Sequence, residues 1–211
     1  MDRYERQAAE RGFSRVAGLD EAGRGPLAGP VVAGAVILPP KTSHPLLIDS
    51  KQLTPSQRLE AYEVILATAV SVGVGVVEAS LIDKLNIYRA TKLAMGRAVE
   101  DLTVEPDYLL VDGLAGPEVD LPQTTIVKGD RRSHSIAAAS IIAKVTRDRL
   151  MEGYGDEYPA YAFERHKGYA TKAHRAALAR HGPSPIHRRS FRGVREFFEE
   201  GARPQSLFGP S

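Results

Sequence analysis

Residues 14–40 read SRVAGLDEAGRGPLAGPVVAGAVILPP, and their punctuation decides the fold. An apolar run closes on two adjacent carboxylates, Asp20 and Glu21, a Gly/Pro-rich turn follows, and a second apolar run ends at Pro39-Pro40. Two strands joined by a tight connection are the expectation. Acids at the buried end of a strand are costly, and Gly23-Arg24-Gly25 directly after them has the look of an anion seat.

Outward from that pair, TPSQRLEAYEVILATAV (54–70) predicts a helix, with Thr54 as N-cap, Pro55 at the first helical position and Leu59, Tyr62, Ile65 and Leu66 at helical spacing. VSVGVGVVEAS predicts a third strand, and LIDKLNIYRATKLAMGRAVEDL (81–102) one long helix. DYLLVDG is a short continuous apolar run ending in an acid, as suits a buried parallel strand, and TTIVKGD repeats the arrangement. SIAAASIIAKVTRDRLMEGY predicts a packed helix, after which short helical stretches are separated by HKGY and HGPSP without a strand signal.

The pattern predicts an α/β fold: a mixed five-stranded sheet flanked by helices, with a smaller helical C-terminal lobe. The expected organisation is an N-terminal helical extension over 1–12, a catalytic domain over 13–152, the helical lobe over 153–200 and a flexible tail over 201–211.

At 211 residues, 43% apolar and 26% charged, the chain has the composition of a globular protein able to bury its own core. It has no cysteine, which excludes a disulfide framework, a thiolate metal site and a cysteine nucleophile. MDRYERQAAERGF lacks the apolar core of a signal peptide, and no apolar run approaches the length of a membrane helix, so a cytoplasmic protein with no membrane partner is expected. The formal net charge is only +2, but cations concentrate between 128 and 195 in KGDRRSH, KVTRDR, ERHKGY, TKAHR and HRRSFR. Such a concentration either cradles a polyanion or forms solvated helix faces.

Ligands of open α/β sheets gather at the carboxyl ends of the strands. Asp20, Glu21, Asp112 and Asp130 fall at, or just after, three such ends. Converging there, four acids would repel one another and raise their pKa values unless a cation intervened. Oxygen ligands favour a hard divalent ion, Mg2+ or Mn2+. Carboxylate sites with two such ions are used to cleave phosphodiesters, one activating water and the other stabilising the departing 3′ oxygen. Taken singly, Asp112 or Asp130 could equally be a turn residue or a helix cap. Gly23-Arg24-Gly25 lets backbone approach a sugar-phosphate while Arg24 supplies planar donors, and GRGPLAGP matches neither a P-loop nor GxGxxG.

The chain resembles the bacterial type 2 ribonucleases H, the ribonuclease HII family. The resemblance rests on GLDEAGRGPLAGPVVAGAVIL, DSKQL (49–53), LNIYRAT (85–91), LLVDG (109–113), KGDRRSHSIAAASIIAKVTRDR (128–149) and HKGYATKAH (166–174). It implies a ribonuclease H-like fold and a metal set of Asp20, Glu21, Asp112 and Asp130. It also implies cleavage of RNA in RNA/DNA hybrids and incision at single ribonucleotides in duplex DNA, leaving a 5′-phosphate and a 3′-hydroxyl.

By the same resemblance Gly23, Arg24 and Gly25 read the ribose 2′-hydroxyl, Tyr169 packs against the neighbouring deoxy sugar, and Lys51, Ser140 and Lys144 contact phosphate. Gln52 stands where the family commonly has a second lysine. Gln205-Ser206-Leu207-Phe208 resembles the peptides that dock on the bacterial sliding clamp, with spacing one residue short. The expected enzyme is a monomer. A catalytically silent binding module and another member of the ribonuclease H superfamily, a resolvase or a type 3 ribonuclease H, are the competing readings.

Overall fold

The computed structural model describes residues 1–42 and 44–199. Its strands are β1 (Val16–Ala22), β2 (Val31–Ile37), β3 (Ser71–Val77), β4 (Tyr108–Asp112) and β5 (Gln123–Ile126), in the sheet order β3-β2-β1-β4-β5. Strand β1 runs antiparallel to β2 and parallel to β4, and β5 runs parallel to β4, so the sheet is mixed. The helices are α1 (Arg3–Glu10), α2 (Pro55–Thr68), α3 (Ala79–Leu85), α4 (Ile87–Glu100), α5 (His134–Glu157), α6 (Phe163–His166) and α7 (Lys172–His181).

Two compact units share the chain. One comprises Met1–Ala22, Val32–Val76 and Thr91–Thr146, and the other Gly23–Val31, Val77–Ala90 and the chain from Arg147 onward. The sheet core lies in the first. Every residue of β2 is buried, and Ala138 and Ala139 of α5 and Ile65 of α2 pack with Val36 in one apolar cluster.

What lets α5 lie on the sheet is the absence of side chains beneath it. A Cβ on Gly18 would collide with the backbone of Ser135 and Ile136, and one on Gly34 with the carbonyl of Ala139. Gly34 pairs across the ladder with Asp20, and Gly18 lies two residues before Asp20, so all three share one face of the sheet. The N-terminus of α5 is capped from α1: one Glu5 carboxylate oxygen accepts from the Ser133 hydroxyl at 2.6 Å, the Ser135 amide at 3.0 Å and the Ser135 hydroxyl at 2.8 Å.

Helix α2 begins as its sequence predicts, with a full capping box between Thr54 and Gln57 and Pro55 in the first turn. Its apolar residues divide differently. Ala61 and Ile65 are buried, whereas Leu59 and Leu66 are 45% and 48% exposed. The long helix expected over 81–102 is two helices, α3 and α4, broken at Asn86, whose φ of 69° ends the first while its side-chain oxygen accepts from the Arg89 amide of the second at 3.1 Å. Asparagine is among the non-glycine residues that take a positive φ more often than others. Alternation of apolar residues at three and four runs through the break and so conceals it.

The second unit has two small cores, Ala28, Met151, Tyr161, Phe163 and Ile186 in one and Leu27, Leu178 and Val194 in the other. Among the described residues no helix is long and apolar enough to cross a membrane. The 201–211 tail, with its clamp-like Gln205–Phe208 segment, lies outside the described residues.

Gly18→Ala should destabilise the protein by about 1–3 kcal/mol or more, because the added carbon meets helix backbone rather than a side chain that can swing aside. Gly96→Ala, in the interior of α4 with open space around it, should instead stabilise by about 0.5–1 kcal/mol. Urea unfolding of the two variants against the wild type measures both signs.

Candidate active site

Leu19 pairs with Val111 across the parallel β1–β4 ladder, so the next residues, Asp20 and Asp112, stand level just past its last pair, Asp112 at the end of β4 and Asp20 two residues before the end of β1. Glu21 follows Asp20, and Asp130 sits in a short 3-10 turn, Gly129–Arg131, just past β5. That turn is set by Lys128, whose left-handed φ of 56° reverses the chain. The Gly129 amide then donates to Asp112 Oδ1 at 2.6 Å, fastening the turn to the end of β4.

Asp20 is only 6% exposed. Its pKa is raised well above the carboxylate range by burial first, then by the charges of Glu21 and Asp112, against a single opposing hydrogen bond from the Glu21 amide, with Asp130 adding a smaller increment. Burial also pushes Asp112 up, with the Gly129 amide opposing it and Asp130 adding to it. The sequence-expected acids are thus brought into mutual electrostatic range in the first unit.

Among the described residues no three acidic or histidine side chains are gathered closely enough to hold an ion by themselves. An open set of carboxylate oxygens nonetheless fits a hard divalent ion such as Mg2+, which retains waters and takes one or two carboxylates together with substrate oxygens. Asp20, buried, and Asp112, half-buried, are both raised by burial and then by neighbouring acids, and such an ion would relieve that repulsion.

Lys51 partly offsets that charge. Its ammonium lies 3.3 Å from Asp130 Oδ2 and 4.0 Å from Asp49 Oδ1, with its side chain largely exposed. Burial works against its charge, but Asp130, Asp49 and Asp20 together raise its pKa.

Asp49 is a residue whose importance the sequence did not reveal. Its carboxylate is wholly buried, accepting from the Lys51 amide at 3.0 Å and from Arg131 Nε at 2.9 Å. Burial alone would raise its pKa, but these donors and the Lys51 ammonium outweigh burial and hold it below the usual value. Arg131 is the neighbour of Asp130, so one carboxylate orients both Lys51 and the turn that carries Asp130.

Ser140 is buried on α5 with its hydroxyl 2.7 Å from that of Ser50, and Lys144 is half-buried one turn further on.

Gly23, Arg24, Gly25 and Tyr169 belong to the second unit. Arg24 and Gly25 are exposed, and a Cβ on Gly25 would lie 4.0 Å from the ring of Tyr169, itself 47% exposed. Beneath this loop are two arginines that the sequence reading grouped with the phosphate-facing or solvated cations. Arg147 is 1% exposed and Arg188 is fully buried.

Their partners are carbonyls rather than carboxylates. Arg188 donates to Gly23, Arg24, Gly29 and Pro30 at 2.6–3.1 Å, and Arg147 to Ala28, Pro30 and Lys167 at 2.9–3.1 Å. Burial, and then the nearby charge of Arg147, pushes the Arg188 guanidinium down to about 9, which leaves it charged at neutral pH. Contacts this distant along the chain give a sequence no local signal.

Two buried histidines fix Tyr169 from its other side. His174 Nδ1 lies 2.9 Å from the Tyr169 carbonyl, and since a carbonyl only accepts, this nitrogen carries the proton. His174 Nε2 therefore accepts from His187 Nε2 at 3.0 Å, leaving His187 Nδ1 to accept from the Ser184 amide at 2.9 Å. The relay is complete only with both rings neutral, and burial lowers their pKa values to about 4 and about 3.

The charge cluster makes a prediction for stability. A carboxyl whose folded pKa is raised binds its proton more tightly when folded, so its contribution is greatest below the unfolded value near 4 and is lost as pH rises through the folded one. In metal-free protein, Asp20→Asn should therefore raise stability at neutral pH by on the order of 1 kcal/mol, equivalent to about 2–4 °C at this size. Thermal unfolding of both proteins from pH 4 to pH 8 in chelator should show the gap opening with pH.

The ribonuclease HII family matches residues 17–194. Ribonuclease HII of Geobacter sulfurreducens is 58% identical over 197 residues, covering 93% of this chain and 91% of the relative. Among solved structures, ribonuclease H2 of Pyrococcus horikoshii OT3 superposes with a TM-score of 0.72 at 28% identity, covering 87% of this chain and 96% of the other. Ribonuclease HII of Archaeoglobus fulgidus, solved as a complex with PCNA, has a TM-score of 0.67 at 25% identity, covering 84% and 95%. With a family match across most of its length and a mixed five-stranded fold shared with those structures, the chain belongs to the ribonuclease HII family, metal-dependent hydrolases with ribonuclease H activity on RNA/DNA hybrids.

Proposed function

We propose that the enzyme incises the phosphodiester on the 5′ side of a ribonucleotide, in hybrids and at single ribonucleotides embedded in duplex DNA, leaving a 5′-phosphate and a 3′-hydroxyl. The observation that carries the reading is the buried Asp20 carboxyl raised by Glu21, Asp112 and Asp130 at the carboxyl ends of β1, β4 and β5. A protein that only bound polyanions would gain nothing from negative charge facing phosphate.

Asp20, Glu21, Asp112 and Asp130 would hold Mg2+ or Mn2+. When bound, such an ion supplies Lewis-acid stabilisation of charge on phosphorus and lowers the pKa of the attacking water. The chain's own residues do the rest. Asp112 is held by the Gly129 amide so that one oxygen stays oriented. Lys51, steadied by Asp49, presents an exposed ammonium for a phosphate next to the reacting one. Ser140 and Lys144 would add further phosphate contacts, the Ser140 hydroxyl donating its one proton to the phosphate while accepting from the Ser50 hydroxyl.

Discrimination falls to the second unit. A 2′-hydroxyl is the group that tells RNA from DNA at a given sugar. Gly23-Arg24-Gly25 can meet it with backbone groups while the exposed Tyr169 ring packs against the following deoxy sugar. The Gln205–Phe208 segment is proposed as a sliding-clamp contact, supported by the PCNA complex of the Archaeoglobus fulgidus relative, and the enzyme is proposed to act as a monomer in the cytoplasm.

A duplex containing one ribonucleotide, labelled at either end and incubated with Mg2+ or Mn2+, should yield a single cut with the stated termini. Asp20→Asn and Asp112→Asn should each lower the rate by roughly 10²–10³-fold or more, the scale of one preorganised electrostatic contact, while hybrid binding stays measurable. Full activity of either variant, or of the wild type in excess chelator, contradicts the mechanism.

A further inference from the structure

The proposed ribose-reading loop has no regular secondary structure, and Gly23–Pro30 carries carbonyls that must find donors away from solvent. Those of Gly23, Arg24, Ala28, Gly29 and Pro30 all find them on two buried guanidiniums, Arg147 and Arg188. Arg147 reaches in addition the carbonyl of Lys167, two residues before Tyr169. Among the described residues no peptide bond is cis.

In a trans peptide the C=O and the next residue's N–H point in opposite directions. Drawing the Gly23 carbonyl onto Arg188 therefore turns the Arg24 amide away from it, and drawing in the Arg24 carbonyl turns the Gly25 amide away likewise. Both amides belong to exposed residues. The same rule holds at Lys167: its carbonyl goes to Arg147 and the Gly168 amide, on the opposite side, donates to His166 Nδ1 at 3.2 Å.

We infer that Arg147 and Arg188 are positioning residues for ribose discrimination: their planar forks gather the loop carbonyls inward and thereby aim the Arg24 and Gly25 amides outward, at the height of the Tyr169 strap that Arg147 also holds. The inference rests on the reading that Gly23-Arg24-Gly25 and Tyr169 recognise the ribose. A lysine cannot substitute, because one compact ammonium lacks the fixed five-donor fork that reaches four carbonyls at once. Neither arginine touches substrate.

The test compares cleavage of two duplexes that differ at one sugar, a ribonucleotide or its 2′-fluoro analogue, by wild type, Arg188→Lys, Arg147→Lys and Tyr169→Ala, each also followed by thermal unfolding. The ribo-to-fluoro ratio of kcat/KM should fall in Arg188→Lys by on the order of 10²-fold, the cost of a displacement of about 1 Å, and in Arg147→Lys by less. The Mg2+-induced rise in melting temperature should be unchanged in both. In Arg188→Gly, methylguanidinium at concentrations well below denaturing should restore the ratio, which a purely structural role does not require.

A wild-type ratio in folded Arg188→Lys, or rescue of melting temperature without rescue of the ratio in Arg188→Gly, overturns the inference. If Tyr169→Ala also keeps the wild-type ratio, the ribose reading itself is wrong. If Tyr169→Ala loses it while the arginine variants do not, only the positioning role falls.

Discussion

Repulsion between carboxylates is the constraint around which the first unit is built. Asp20 and Asp112 follow the last pair of the parallel β1–β4 ladder, and neither Glu21 nor Asp130 is far enough away to be ignored by Asp20. Two like charges 4 Å apart repel by about 1 kcal/mol in water and about 4 kcal/mol near a protein surface. A fold that tolerates this arrangement must be rigid enough that the carboxylates do not drift apart. The close seating of α5 over Gly18 and Gly34, the Glu5 cap on its first turn and the Gly129 amide on Asp112 provide that rigidity.

The second unit is built on the opposite problem, since its buried charges are cations. Arg147 and Arg188 are satisfied by neutral carbonyls, so their positive charge is retained rather than cancelled. Loops of irregular backbone are ordinarily mobile. This one is held by six guanidinium-to-carbonyl bonds, and the adjoining strap carrying Tyr169 by a seventh, to the Lys167 carbonyl, and by a histidine relay of fixed tautomers. The acid cluster and the proposed ribose-reading loop thus rest on separate electrostatic devices, although Ala22 and Gly23 are consecutive residues.

Much of this was legible in the sequence because it is local. An apolar run ending in Asp20-Glu21, a capping box at Thr54 and a short run ending in Asp112 declare themselves within a few residues. The rest depends on partners far along the chain. Asp49 carries no signal of its own until Arg131, 82 positions on, is seen to bind it, and Arg188 reads as one more clustered cation until its bond to Gly23, 165 positions back, is known. The break at Asn86 was hidden for another reason: apolar periodicity continues through it, and only a left-handed residue marks it.

The central claim is that the Asp20 carboxyl, without a divalent ion, holds its proton more tightly than an ordinary carboxyl and yields it when an ion binds. Titrating Mg2+ into the chelator-treated enzyme at neutral pH, in buffers of different ionisation enthalpy, measures protons released on binding. The account predicts net release from wild type, diminished in Asp20→Asn, together with a carbon-13 carboxyl resonance of Asp20 that titrates well above the ordinary range and moves down on adding Mg2+. An Asp20 carboxyl that titrates near 4 in metal-free protein, with no proton released on binding, would contradict it.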